Sequence, residues 1–285
     1  MSTPIRSLVR STDIDVLAPD HQLIRRDRYW VVRSPSNPTY WWGNLLLFEA
    51  PPLAGDGARW EQFFSEEFAA DPEVRHCTLA WDRTDGELGA AMGELVARGF
   101  ELERTAGLIA TPASLRAHPR ANHEAQIRAL DPAGDEDLWA AVIGVQMATA
   151  QEFEQGSAGG TAGERDYHLA FLRGRQRALR ELFRAGRGGW YVALIDGQVA
   201  GSLGIVVTQG RARYQTVDTV AAFRRRGIAS RLVHGAAQAE LGRQPIDHFV
   251  IAADPDYHAL GLYESLGFAR VEEVVGALRK PGPAA

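Results

Sequence analysis

Residues 222 to 230 read AFRRRGIAS, the stretch of the chain whose residue types most plainly imply chemistry. Arg224, Arg225 and Arg226 run into Gly227, followed by Ile228, Ala229 and Ser230. Guanidinium forks hold oxyanions through charge-assisted hydrogen bonds. A glycine lets the backbone come close to an anion, and the free N–H groups at a helix start favour one. The stretch therefore describes a pyrophosphate cradle, made by the amides from Arg225 to Ala229 and the Arg224 side chain. It lacks the Gly-Lys-Ser/Thr ending of a P-loop and the G-x-G-x-x-G of a dinucleotide fold, so nucleotide hydrolysis and nicotinamide or flavin chemistry are not indicated.

The rest of the chain limits which anion the arginines face. With 285 residues, 45% hydrophobic and 24% charged, it can bury a sizeable core. A net charge of −5 opposes a nucleic-acid partner, whose footprint is basic. No run approaches the roughly 20 apolar residues of a membrane span, and Met1 to Arg10 lacks the apolar core of a leader. A cytoplasmic protein is expected. One cysteine, Cys77, cannot form an internal disulfide, and the eight histidines show no metal-ligand spacing with it, so no metal is expected.

The elements that must position the cradle can be read from residue 124 onward. AQIRAL reads as a strand, and DPAGDED leads into the helix LWAAVIGVQMATAQEF. After the glycine-rich GSAGGTAG comes a second helix, DYHLAFLRGRQRALRELFRAG. WYVALID and VAGSLGIVV, joined at Asp196-Gly197, form a hairpin, and RARYQTVDTV adds a strand. From Gly227 to Leu241 apolar residues recur at helical spacing. FVIAA is a strand, HALGLYESLGF a helix and VEEVVGAL a last strand. The arginines thus occupy a strand-to-helix turn.

In that setting Arg224 to Ala229 resembles the acyl-CoA signature, Arg/Gln-x-x-Gly-x-Gly/Ala, of the GCN5-related N-acetyltransferases (GNAT). A strand ending at Thr219, eight residues before Gly227, and the segment LYESLGF (Leu262 to Phe268) are similar to the family's as well. The resemblance covers residues 122 to about 280. It implies a mixed α+β fold with a split central β-sheet flanked by helices. It also implies acetyl-CoA as acyl donor and a primary amine of a small molecule or peptide as acceptor.

By the same resemblance, main-chain groups of Val217 and Thr219 would bind the pantetheine arm in the gap of the split sheet. Arg224, Arg225, Arg226, Gly227, Ile228, Ala229 and Ser230 would hold the pyrophosphate. Tyr263 would protonate the departing thiolate. Two positions depart from the pattern. Gln215 stands where many members carry a catalytic Glu. Asp218, the nearest carboxylate, is turned by strand alternation away from the face of Gln215, Val217 and Thr219 unless a bulge resets the parity. Water, Glu152 or Glu154 are the other candidate bases. Asp256 stands where the family has Asn near the cofactor, and it can cap the following helix but cannot donate to an acceptor. A catalytically idle acyl-CoA-binding or sensing module is the alternative that the missing Glu allows.

The first half repeats the pattern without its chemistry. HCTLAWD, GELGAAMGELVARGF and ELERTAGLIAT parallel FVIAAD, HALGLYESLGF and the last strand, while the turn after GNLLLFEA reads PPLAGDGA, with no arginine. A degenerate GNAT-like domain over residues 1–115 is expected, without a CoA site. Beyond a linker in TPASLRAHPRANH, the catalytic domain is expected over residues 122–285. Five of the seven tryptophans precede that linker, so the halves build different cores. TYWW (Thr39 to Trp42) reads as a strand packing into the first. A monomer is expected, its first domain standing in for the second copy with which many family members complete their acceptor site.

Overall fold

The structure, a computed structural model, describes residues 4–154, 162–256 and 259–281. In chain order its elements are α1 (Leu8–Asp15), β1 (Gln22–Arg25), β2 (Tyr29–Arg33), a 3-10 turn (Trp41–Gly43), β3 (Leu45–Phe48), α2 (Asp56–Glu67), β4 (Cys77–Trp81), α3 (Met92–Ala97) and β5 (Glu101–Ala110). There follow β6 (Gln126–Ala129), α4 (Glu136–Glu154), α5 (Ala162–Arg184), β7 (Gly188–Ile195), β8 (Gln198–Thr208), β9 (Arg211–Thr219) and a 3-10 turn (Ala221–Phe223). The chain closes with α6 (Ile228–Leu241), β10 (His248–Ala253), α7 (Ala259–Ser265) and β11 (Ala269–Arg279). The fold is mixed α+β, with sheets flanked by helices. No helix among the described residues is long and apolar enough to cross a membrane.

The chain divides into two compact units, Met1–Gly107 with Ala253–Pro255 and Val271–Ala285, and Leu108–Ala252 with Asp256–Arg270. The last strand of the sequence thus counts, from Val271, with the first unit. There Gly276 to Arg279 of β11 pair antiparallel with Ala80 to Cys77 of β4. The proline-containing segment expected as a linker counts with the second unit and is bonded into it: the Arg116 N–H donates to Leu266 O at 2.9 Å and the Asn122 N–H to Gly227 O at 3.1 Å.

In the first unit β1, β2 and β3 pair antiparallel, while β3 and β4 run parallel. Period-2 alternation sends successive residues to opposite faces. Val31, Leu46, Phe48, Leu79 and Trp81 join a core with Trp60 and Phe64 of α2, where Phe48 stacks on Trp60 at 3.5 Å. Trp30, Val32, Leu45, Leu47 and Ala80 form the other core, against which Tyr40 and Trp42 pack. The TYWW segment reaches that core through a 3-10 turn and not the expected strand. Asn44 explains the difference, because its side-chain amide donates to Asn37 O and Tyr40 O and accepts from the Ser34 N–H, closing the chain on itself.

The second unit has strand order β10-β9-β8-β7-β6, antiparallel except for the parallel pair β9–β10. The β7–β8 hairpin turns at Asp196 and Gly197, both with positive φ, as its Asp-Gly signal predicts. On β7 the buried Trp190 lies beside Trp139 of α4, and the next residue, Tyr191, donates to Glu240 of α6 at 2.6 Å. The α4–α5 pair and α6 therefore cover opposite faces of this sheet.

Candidate active site

The site is built on β9, which is irregular on both edges. Toward β10 the parallel pairing covers only Arg211 to Arg213 against His248 to Val250. Beyond Arg213 the two strands carry no further pairs, and this is the split that the fold class requires. Toward β8, Gln215 lies opposite Gly204 and Asp218 opposite Ser202, so β9 spends one residue more than its partner between these pairs. The extra residue makes a bulge, with Thr216 in the left-handed region at φ 41°.

The bulge is the condition under which Asp218 shares the face of Gln215. Gln215 Oε1 accepts from Arg175 Nη2 of α5 at 2.9 Å, and Asp218 is hydrogen-bonded by the side chain of Thr149 on α4. Both side chains thus face the helices, although three residues apart, because one inserted residue shifts the period-2 register by one.

Thr219 lies opposite Gly201, and the Val220 N–H donates to Ala200 O at 3.0 Å. In an antiparallel ladder this makes Thr219 a non-hydrogen-bonded residue, its main-chain groups directed away from β8. Its carbonyl accepts from Arg224 Nε at 3.1 Å. Val217, half-buried, sits between the bulge residue and Asp218.

The signature loop follows. Arg224, Arg225 and Arg226 are exposed, with Arg225 at φ 59° and the Arg226 guanidinium 5.4 Å from the centre of the Phe223 ring. Gly227 caps α6 at φ 74°. The first-turn N–H groups of Ile228, Ala229 and Ser230 have no acceptor within the helix, which is the property an anion would use. Ile228 is buried, Ala229 half-buried, and Ser230 Oγ donates to Gly227 O at 3.0 Å. The place a Cβ on Gly227 would take is 2.0 Å from Arg120 O. Glycine is thus required here by its left-handed backbone and by the neighbouring 120–122 segment, and a larger residue would strain the loop even with no ligand bound.

Two expected partners are engaged elsewhere. Arg224 forms an ion pair with Glu152. The side chain of Glu154, like residues 155–161 of the glycine-rich segment, lies outside the described residues. Asp256 is exposed ahead of α7, and the position where it would cap that helix also lies outside them.

A cavity of about 230 Å³ opens against the bulge. Along α4 it is lined by Trp139, Val142, Gln146 and Thr149, and along α5 by His168, Phe171, Leu172 and Arg175. Trp190, Thr216 and Asp218 close the sheet side. Asp218 is 8% exposed, and its Oδ2 has no hydrogen-bond partner among the described residues. Burial pushes its pKa up to about 6, against the opposing effects of the Thr149 hydrogen bond and the Arg224 charge. A desolvated carboxylate with its pKa raised in this way is suited to take a proton. Arg175 and Thr149 escaped the sequence reading, yet each lies on an apolar stripe of its helix at 3.6 spacing, and a polar residue within such a stripe was the available signal.

Tyr263 is buried at 6% exposure on α7, with its ring edge-on to Phe268 at 6.3 Å. It is not among the described residues that line the Asp218 cavity. Among the described residues no cluster of His, Cys, Asp or Glu could hold a metal ion.

The model of the acetyltransferase (GNAT) family matches residues 161–268. No curated protein matches the chain. A functionally unknown conserved protein from Staphylococcus epidermidis ATCC 12228 has a similar structure, with 12% identity, a TM-score of 0.67 and coverage of 92% of this chain and 95% of that one. A GCN5-related N-acetyltransferase from Kribbella flavida follows at 15% identity and TM-score 0.63, covering 99% and 97%. A tandem GNAT protein from the clavulanic acid biosynthesis pathway matches at 15% identity and TM-score 0.52, covering 99% and 91%. At such identities the structural likeness is one of fold, and the family assignment rests on the matched segment: residues 161–268 form an acetyltransferase domain of the GNAT family.

Proposed function

We propose that the chain is an acetyl-CoA-dependent N-acetyltransferase for a primary amine of a small molecule or peptide, acting in the cytoplasm as a monomer, with its first unit a degenerate copy that binds no CoA. The observation that carries this reading is the β9 bulge, which turns a desolvated Asp218 into a cavity on a strand that also parts from β10.

Acetyl-CoA supplies a thioester acyl group when bound. The residues fit such a donor: the turn ahead of α6 combines a left-handed glycine, free first-turn N–H groups and two exposed arginines, Arg225 and Arg226. Val217 and Thr219 offer main-chain groups to the pantetheine arm. Asp218 takes a proton from the acceptor, whose alkylammonium pKa is near 10 in water. The aromatic wall orients the amine for attack once Asp218 has taken its proton. Tyr263 returns a proton to the departing sulfur.

Release of free CoA thiol with a panel of primary amines tests the reading. Turnover with at least one amine is expected, and Tyr263→Phe should lower it by about 10- to 100-fold with acetyl-CoA affinity kept, the pattern of a contact made only in the transition state. Acetyl-CoA binding with no turnover on any amine would overturn the enzyme in favour of an acyl-CoA-binding module.

A further inference from the structure

The cavity beside Asp218 has a chemistry of its own, which narrows the acceptor. Its body is apolar and aromatic, from Trp139, Phe171, Leu172 and Trp190. Trp139 and Trp190 meet at 6.1 Å between ring centres and 52° between planes, a tilted and buried pair whose rings form part of the cavity wall. Among the described residues of its lining the carboxylate is Asp218, whose Oδ2 is buried with no donor among them. A buried acceptor of this kind costs free energy unless something donates to it. An ammonium is the donor best matched to a carboxylate, through a charge-assisted hydrogen bond.

Among the described residues the wall also holds the guanidinium of Arg175, itself buried at 8% exposure and bonded to Gln215, and the imidazole of His168. A guest with a second ammonium would bring that charge into a low-dielectric space already holding a guanidinium, where like charges repel strongly. A short polar amine would leave the aromatic wall unfilled. As for size, an apolar cavity of about 150 Å³ holds a benzene ring. The present volume of about 230 Å³ admits a ring with a short alkylamine arm.

We infer that the acceptor is a monocationic arylalkylamine, its ring against Trp139, Phe171 and Trp190 and its ammonium on Asp218 Oδ2. This rests on the acetyltransferase reading for its consequence, but it concerns binding and is tested apart from transfer. The full chain is titrated by calorimetry, alone and with free CoA, which carries no acetyl group. The probes are 2-phenylethylamine and tryptamine, with ethanolamine, putrescine and 3-phenylpropionate as contrasts. The two arylalkylamines should bind at least tenfold more tightly than every contrast, and Asp218→Asn should weaken them tenfold or more. Leu172→Trp, which fills the cavity, should weaken them also, with the folded state checked by circular dichroism. Equal or better binding of ethanolamine or putrescine, or arylalkylamine affinity indifferent to Asp218→Asn, would overturn the inference. Turnover on other amines without arylalkylamine binding would remove this acceptor class and leave the enzyme standing. Arylalkylamine binding without turnover would keep the class and remove the enzyme.

Discussion

α2 and α6 both start from a glycine in the left-handed region, Gly55 at φ 85° and Gly227 at φ 74°, each following a strand that runs parallel to another of its sheet. Before α6 the turn carries three exposed arginines, and the parallel pairing of β9 with β10 stops early. Before α2 the protein supplies its own anion. Glu94 of α3 accepts from the Gly55 N–H at 2.8 Å and the Gly57 N–H at 3.3 Å, while Asp56 accepts from the Leu53 N–H and pairs with Arg59. The strands there stay zipped as well. β3 and β4 are paired to Phe48 and Trp81, and the Asp82 N–H donates to Phe48 O at 2.8 Å. Among the described residues the helix start is thus satisfied by a carboxylate in one unit and by none in the other, where the pairing of β9 with β10 also stops early.

The largest effect should come from reversing charge at the open turn. Arg225→Glu with Arg226→Glu replaces two exposed cations and should weaken acetyl-CoA about 100-fold or more, since a hydrogen bond to a charged group contributes about 1.5–3 kcal/mol. Calorimetry should find one equivalent per chain before the change; two equivalents would break the contrast between the turns. Gly227→Val is a poor probe, because its Cβ would meet Arg120 O whether or not a ligand is bound.

Asp218→Asn sharpens the contrast between an open site and a filled one. Turnover should fall by about 100-fold or more with the loss of the base. Stability should move the other way. The carboxyl's pKa is raised from 3.8 to about 6 on folding, so between these values the folded state holds a proton that the unfolded state has released. The contribution of Asp218 is complete below pH 4 and declines as pH rises through 6, by about 3 kcal/mol for two units. Denaturation at pH 7.5 should therefore find the Asn variant more stable by up to about 3 kcal/mol, and the gain should vanish near pH 4. In the wild type, turnover should fall as pH drops below 6, with Arg224 and Thr149 the groups that hold the value from rising further. A stability difference that does not depend on pH would contradict the burial of this carboxylate.

Glu94→Ala tests the filled turn. It should cost about 1–2 kcal/mol in chemical denaturation, the size of a charged cap at a helix N-terminus. Acetyl-CoA affinity and stoichiometry should not change, and a second equivalent appearing in this variant would show that the carboxylate alone had kept the site shut. The smallest effect is expected at the bulge. Thr216 holds a left-handed conformation that costs a β-branched residue about 1–2 kcal/mol, part of which Gly would give back in its greater freedom when unfolded. Thr216→Gly should then stabilise the protein by up to about 1 kcal/mol with turnover retained, and a clear loss of stability would argue against the bulge.

The order of elements in the second unit was legible because its signals are local. Asp196-Gly197 marks the hairpin, the repeat of Ile228, Leu232 and Ala236 marks α6, and Arg224 to Ala229 marks the turn between strand and helix. The missing cradle before α2 was legible for the same reason, since PPLAGDGA contains no arginine. The carboxylate that fills the turn was not, because Glu94 stands far along the chain from Gly55 and reaches it only through the packing of α3 on α2.

By itself, then, the sequence determined which turn carries the arginines and the left-handed glycine and which strand and helix flank it, because a glycine, a run of charge and an amphipathic period are written in neighbouring residues. Tertiary structure decided the direction of Asp218. Thr216 carries no local mark of a left-handed residue, and the bulge it forms is set by pairing with β8 and by the α4 and α5 side chains that meet Gln215 and Asp218. It also decided where VEEVVGAL pairs. The register of β11 on β4 joins Gly276 to Ala80 across most of the chain, and no window of neighbouring residues encodes a contact whose energy exists only once both strands are in place.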